Sequence, residues 1–141
     1  MNPVAASPLV GFGTPPNNVQ INFSILDMHG LNDNIIPYSV DNYWSYGPGP
    51  NGGLISQDGC YYEEKITYID AWSEAMECDE EFTYSTHYDG ENGLQCFQRQ
   101  CIRGNTIVRC IGDHTHEYPM SYSTASAEIA WEFMKNNPRK R

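Results

Sequence analysis

The chain has 141 residues, with 8 Lys and Arg against 18 Asp and Glu, a formal net charge of −10. Arg139, Lys140 and Arg141 supply part of that small basic complement, so the rest is more acidic still, and such a surface repels phosphate backbones and anionic lipid. Nucleic-acid and membrane-surface partners are thereby disfavoured, while 40% hydrophobic and 18% charged residues fit one globular domain over 1–141.

Residues 1–18 are rich in Pro, Gly and Ala and end in a loop signal, Thr14-Pro15-Pro16-Asn17-Asn18. Nothing in the first 30 residues reads as a signal peptide, and no apolar run approaches the roughly 18 residues of a membrane helix. Val19, Ile21, Phe23 and Ile25 alternate with Gln20, Asn22 and Ser24, which is strand period. That run ends in Asp27-Met28-His29-Gly30, where the glycine suits a sharp turn. Residues 39–60 form a long Gly/Pro/Asn loop opening on Tyr43, Trp44 and Tyr46.

From Tyr61 to Glu77 the pattern becomes helical, with Ile66, Ile69, Trp72 and Met76 on one stripe. Residues 79–104 are a polar, cysteine-containing insertion with strand-like pieces such as Phe82 to Thr86. Asn105 to Ile111 reads as a buried strand. A last helix over Thr124 to Asn136 turns Ile129, Ala130, Phe133 and Met134 inward, with Pro138 as a stop. Strand, helix, strand, helix is an α/β order with a parallel sheet. Two clear strands are too few to build such a sheet alone, so the chain is expected to be part of a larger fold.

The cysteines are Cys60, Cys78, Cys96, Cys101 and Cys110. Disulfides among them imply an oxidising compartment, and the odd count leaves one thiol over. The rival reading is a tetrahedral zinc set of Cys96, Cys101, Cys110 and His114, whose spacing lacks the usual C-x-x-C pair. Disulfides are the preferred reading.

In α/β sheets, reactive side chains collect on loops at the carboxyl ends of strands. Two such loops occur, His29 to Tyr38 and the His114/His116 segment. An Asp after one strand and a His after the next is the acid–base half of a hydrolytic triad. The carboxylate accepts the imidazole Nδ1–H and fixes its tautomer, leaving Nε2 to take a proton from a nucleophile.

These segments resemble a known family. His29-Gly30, Asp33 and Ile36-Pro37-Tyr38 resemble the HGTxDxxVPY signature of α/β-hydrolase esterases of the polyhydroxybutyrate depolymerase and feruloyl esterase type. Pro3 to Ser7 resembles the APVSG strand end, Ala71 to Cys78 the WAxxNGC helix end, and Tyr84 to Cys101 the TxxYxxC…C segment. His116-Glu117-Tyr118-Pro119 resembles the GGGHTWP histidine motif, and Trp131 to Lys135 the closing WEFFK helix. The motifs run in the family's order over essentially all 141 residues.

The resemblance implies the C-terminal part of an α/β-hydrolase fold, with Asp33 as triad acid and His116 as triad base. His114 is an alternative base, because Asp113, His114 and Thr115 stand where the family has glycines; the following Tyr-Pro favours His116. It also implies a Cys78–Cys101 disulfide, with Cys96 a competing partner, and no metal or other cofactor. Tyr38, Tyr43 and Trp44 are candidates for the substrate pocket, and equally for loop aromatics that cover the core. The family's nucleophile motif Gly-x-Ser-x-Gly is absent from the sequence, so the N-terminal half of the hydrolase domain is expected to lie elsewhere. The function so implied is that of a secreted serine carboxylic ester hydrolase acting on a plant-wall phenolic ester or a polyester, inactive as this chain alone. The alternatives are a cysteine-rich extracellular binding module of hydrolase ancestry and the small zinc domain.

Overall fold

The computed structural model describes residues 15, 23–33, 35–36, 38–39, 41, 54–55, 59–86, 88, 94–116 and 120–138, the last with backbone alone over 120–125. In chain order these form β1 (Ile25–Gly30), β2 (Leu54–Ile55), β3 (Tyr61–Tyr62), α1 (Lys65–Ala75), β4 (Thr83–Tyr84), β5 (Gln95–Cys101), β6 (Asn105–Gly112) and α2 (Met120–Asn136). A 3-10 turn over Ile102–Gly104 joins β5 to β6.

Four strands make one sheet in the order β1-β6-β5-β4, and β2 pairs with β3 apart from it. Only β1 and β6 run parallel; β6 with β5 and β5 with β4 are antiparallel. The sheet is therefore mixed, which corrects the all-parallel expectation. The segment read as a polar insertion returns as β4 and β5, and a three-residue connection joins only antiparallel neighbours. Arg103 and Gly104 make that connection with φ of +63° and +68°.

Alternation along the two central strands sorts the core into two layers. Leu26 and Met28 of β1 and Val108 and Cys110 of β6 join Leu94, Cys96, Tyr88 and the α2 residues Ile129 and Phe133. On the opposite face, Ile25 and Ile107 join Ile69, Met76, Tyr68 and Trp72 from α1 or its end, with Cys78, Cys101 and Phe82. Each face of the sheet thus carries one helix, so the few strands expected from sequence are supplemented on one edge and covered on both sides. The helical phase agrees at Ile69 and Trp72 of α1, at Met76 that caps it and at Ile129 and Phe133 of α2, whereas Ile66 is only half-buried and Lys65 takes the buried place. Met134, read as inward, is exposed, because the buried stripe of α2 passes through Ile129 and Phe133 and leaves it on the far side. The first strand starts at Ile25, later than read; Phe23 and Ser24 precede it, and Val19 to Asn22 lie outside the described residues.

Helix α1 ends in a Schellman arrangement. Cys78 N–H donates to the Ser73 carbonyl at 2.9 Å and Glu77 N–H to the Glu74 carbonyl at 3.1 Å. Glu77 takes the left-handed position with φ +50°, where glycine is usual. Directly after it, Cys78 is bonded to Cys101, and Cys96 is bonded to Cys110. Cys60 lies outside both bridges. Chain-entropy arguments give each bridge about 3 kcal/mol for loops of this length. Three of the four side chains of the zinc reading are consumed by these bonds, which removes that reading.

A strand buried on both faces is expected to be apolar throughout. β1 departs from that, since Asp27 and His29 occupy alternate positions on the α1 face. Lys65, the first residue of α1, answers Asp27 with Nζ 2.8 Å from Oδ1, and both side chains are almost wholly buried. Removing one member of such a pair strands the other charge in a low dielectric. Lys65→Met is expected to lower unfolding free energy by about 3–5 kcal/mol, and Asp27→Leu added to it to recover most of the loss. Urea denaturation of both variants checks this; a near-neutral single variant would show that the pair is solvated.

Candidate active site

The parallel register pairs Gly30 with Gly112, so the chain leaves β1 and β6 at the same end of the sheet. The two departing segments are tied together at once. Leu31 N–H donates to the Gly112 carbonyl at 2.8 Å, Asn32 N–H to the His114 carbonyl at 3.1 Å, and the Asn32 amide to the Asp113 carboxylate. Asp33 N–H closes a turn onto the Gly30 carbonyl at 3.2 Å. Gly30 is required by packing here: a Cβ would sit inside contact distance of the His114 carbonyl and its Nδ1.

That turn buries Asp33 completely. Its Oδ1 accepts from the backbone N–H groups of Ile35 and Ile36 at 2.9 and 2.8 Å, an Asx turn that fixes the carboxylate plane. His116 Nδ1 lies 3.0 Å from Oδ2 and 3.2 Å from Oδ1. A carboxylate accepts, so Nδ1 carries the proton and Nε2 keeps its lone pair. The His116 side chain is 34% exposed, against none for Asp33. A buried carboxylate holding a half-exposed imidazole in the Nδ1–H tautomer is the arrangement of a general base and its orienting acid.

His114 has a different place. It is buried, packs against Gly30, and its Nδ1 donates to the Thr115 carbonyl at 2.8 Å. Of the two histidines read as bases, the structure brings His116 to Asp33. Tyr38 is half-buried, its ring 4.7 Å from the Arg109 guanidinium and 5.8 Å from the His29 ring. Tyr43 and Trp44 lie outside the described residues.

Sequence reasoning missed the polar layer beneath this site. His29 is fully buried, donates Nε2–H to the Ile36 carbonyl at 2.9 Å, and lies two residues beyond Asp27 on the same face. Burial lowers its pKa from the ordinary value near 6.5, and the Lys65 charge lowers it further, against Asp27, the Ile36 bond and Asp33. The available signal was Asp27 and His29 at alternate positions in a strand that had to be buried.

Among the described residues no group of three or more His, Cys, Asp or Glu side chains is placed to hold a metal ion. None of their helices is long and apolar enough to cross a membrane. The two disulfides are compatible with an oxidising or extracellular location. The class so defined is a small α/β-like domain with an Asp–His couple where two parallel strands end. No protein-family model, curated protein or solved structure matches the chain.

Gly30→Ala is expected to displace the 113–116 segment and cost about 1–3 kcal/mol, as overpacking does. A thermal melt paired with the His116 ring resonances checks it, and an unchanged His116 environment would contradict the close approach. His29 supplies a pH dependence. Its folded pKa is depressed, so below about pH 6.5 the unfolded chain binds a proton that the folded chain refuses. Stability therefore falls with pH from there down to the folded pKa, by at most about 1.4 kcal/mol per pH unit for this group. Denaturation between pH 8 and pH 5 should show that slope shrinking in His29→Gln.

Proposed function

We propose that the chain supplies the acid and the base of a secreted serine carboxylic ester hydrolase of the α/β-hydrolase kind, acting on a plant-wall phenolic ester or a polyester. The observation that carries the reading is the Asp33–His116 contact at 3.0 Å, on loops leaving neighbouring parallel strands. The edge position of β1 adds support. It is buried nearly throughout while paired, among the described residues, on one side only, as suits a strand from inside a longer sheet.

In this mechanism His116 Nε2 takes the proton of an attacking serine hydroxyl as the serine oxygen bonds to the ester carbonyl carbon. Asp33 steadies the imidazolium, which then protonates the leaving alcohol. Water, deprotonated by the same Nε2, releases the acid and restores the serine. No Gly-x-Ser-x-Gly occurs in the 141 residues, so the serine and the oxyanion donors belong to another segment.

The test reads the coding sequence upstream of Met1 for an in-frame Gly-x-Ser-x-Gly and assays the resulting protein on aryl esters. Asp33→Asn and His116→Ala are each expected to lower turnover on the order of 10⁴-fold or more, with a fluorophosphonate probe labelling the upstream serine. Labelling of a serine within the 141 residues, or full activity in His116→Ala, would overturn the proposal. A second reading is a cysteine-rich extracellular binding module of hydrolase ancestry. It is favoured by the two disulfides and the helix on each sheet face, which a self-supporting fold needs. A sharp, monomeric thermal transition with no nucleophile encoded upstream would select it.

A further inference from the structure

Asp33 orients His116 only while its own turn is held, and among the described residues a buried side chain of β1 supports that turn from below. The His29 Nε2–H donates to the Ile36 carbonyl at 2.9 Å, and Ile36 N–H in turn donates to Asp33 Oδ1 at 2.8 Å. One peptide unit away, Ile35 N–H donates to the same oxygen. The residue that grips the far end of the Asx turn thus stands on the rigid end of β1, fully buried, four residues before the carboxylate it steadies. The same Nε2 is 3.6 Å from Asp33 Oδ2, too far for a good hydrogen bond and near enough for charge to matter.

We infer that His29 is the positioning residue of the Asp33–His116 couple: by holding the Ile36 carbonyl it aims the Asp33 carboxylate at His116 Nδ1. The inference rests on the acid–base reading of those two residues. The groups around His29 fit that task. Its ring meets Tyr38 at 5.8 Å, Asp27 precedes it on the same face of β1, Lys65 from α1 pairs with Asp27, and Asp33 lies above. His29 Nδ1 is buried and makes no hydrogen bond to the described residues, so among them Nε2 is the ring atom that acts. Were His29 charged, it would compete with His116 for Asp33. Burial and the Lys65 ammonium both hold it neutral, so the charge of Asp33 is left to His116.

The experiment is histidine-labelled NMR of the chain itself at pH 7, with His29→Gln and His29→Asn. A glutamine amide reaches the position of Nε2–H, whereas an asparagine is equally polar and too short. The wild-type His29 ring is expected to be the neutral Nε2–H tautomer at pH 7; a charged ring or the Nδ1–H tautomer would overturn the inference without any variant. His29→Gln should leave the downfield His116 Nδ1–H resonance, the mark of its bond to Asp33, in place, and His29→Asn should lose it, as a mis-aimed carboxylate gives up that bond. Equal His116 Nδ1–H resonances in the two variants would overturn the inference, because a merely structural His29 would change melting temperature alone. Asp33→Asn separates the two levels. If the His116 Nδ1–H resonance survives it unchanged, the acid–base couple itself falls, whatever His29 does.

Discussion

Everything at the candidate site depends on β1 and β6 running parallel and in register, Gly30 against Gly112. Parallel pairing sends both chains out of the sheet at one end, which antiparallel neighbours do not do. It also forces the two exits to share space, and the missing side chain of Gly30 lets the His114 backbone settle against it. From that contact the rest follows in short steps: the 30–33 turn, the buried Asp33, and the imidazole of His116 laid across its carboxylate. A couple of this kind needs a fixed carboxylate more than a strong one, and three donors fix this one.

Below the couple the sheet carries an ionic layer where a buried strand would ordinarily be apolar. Asp27 and Lys65 join β1 to the first turn of α1 through desolvated charges, and Arg109, the register partner of Asp27, lies under the Tyr38 ring. Such a layer contributes little net stability compared with packed hydrocarbon. Its value is positional. A charge pair admits one helix register, whereas Ile and Leu at the same places would tolerate several. The buried pair therefore holds α1 where its ammonium also faces His29.

Sequence showed some of this and hid the rest for definable reasons. β6 was legible because Ile107, Val108, Cys110 and Ile111 make a short apolar run broken by Arg109, and the phases of both helices followed largely from spacing. Asp33 and His116 were legible as loop residues after strands, and the resemblance to esterase motifs named them individually. Lys65 was hidden because a lysine at a helix start reads as solvent-facing, and only its partner 38 positions earlier explains its burial. β5 was hidden because Gln95, Gln98, Arg99 and Gln100 carry no alternation of strength; its pairing comes from the 102–104 turn and from two cysteines. Mixed topology follows from that hairpin, so it was hidden with it.

The two cysteines of β5 also bear on how the chain oxidises. Cys96 and Cys101 are an odd number of residues apart, so a strand directs them to opposite faces: Cys96 into the α2 layer and Cys101 into the α1 layer. Cys110 directly opposes Cys96 across the ladder. A bond from Cys110 to Cys101 would slide β5 by that odd step and exchange the side chains it presents to the two helix layers along its length. The spacing thus acts as a parity check during oxidative folding. The mispaired isomer is penalised by a whole strand face, and disulfide exchange has a steep free-energy reason to return to the native pair.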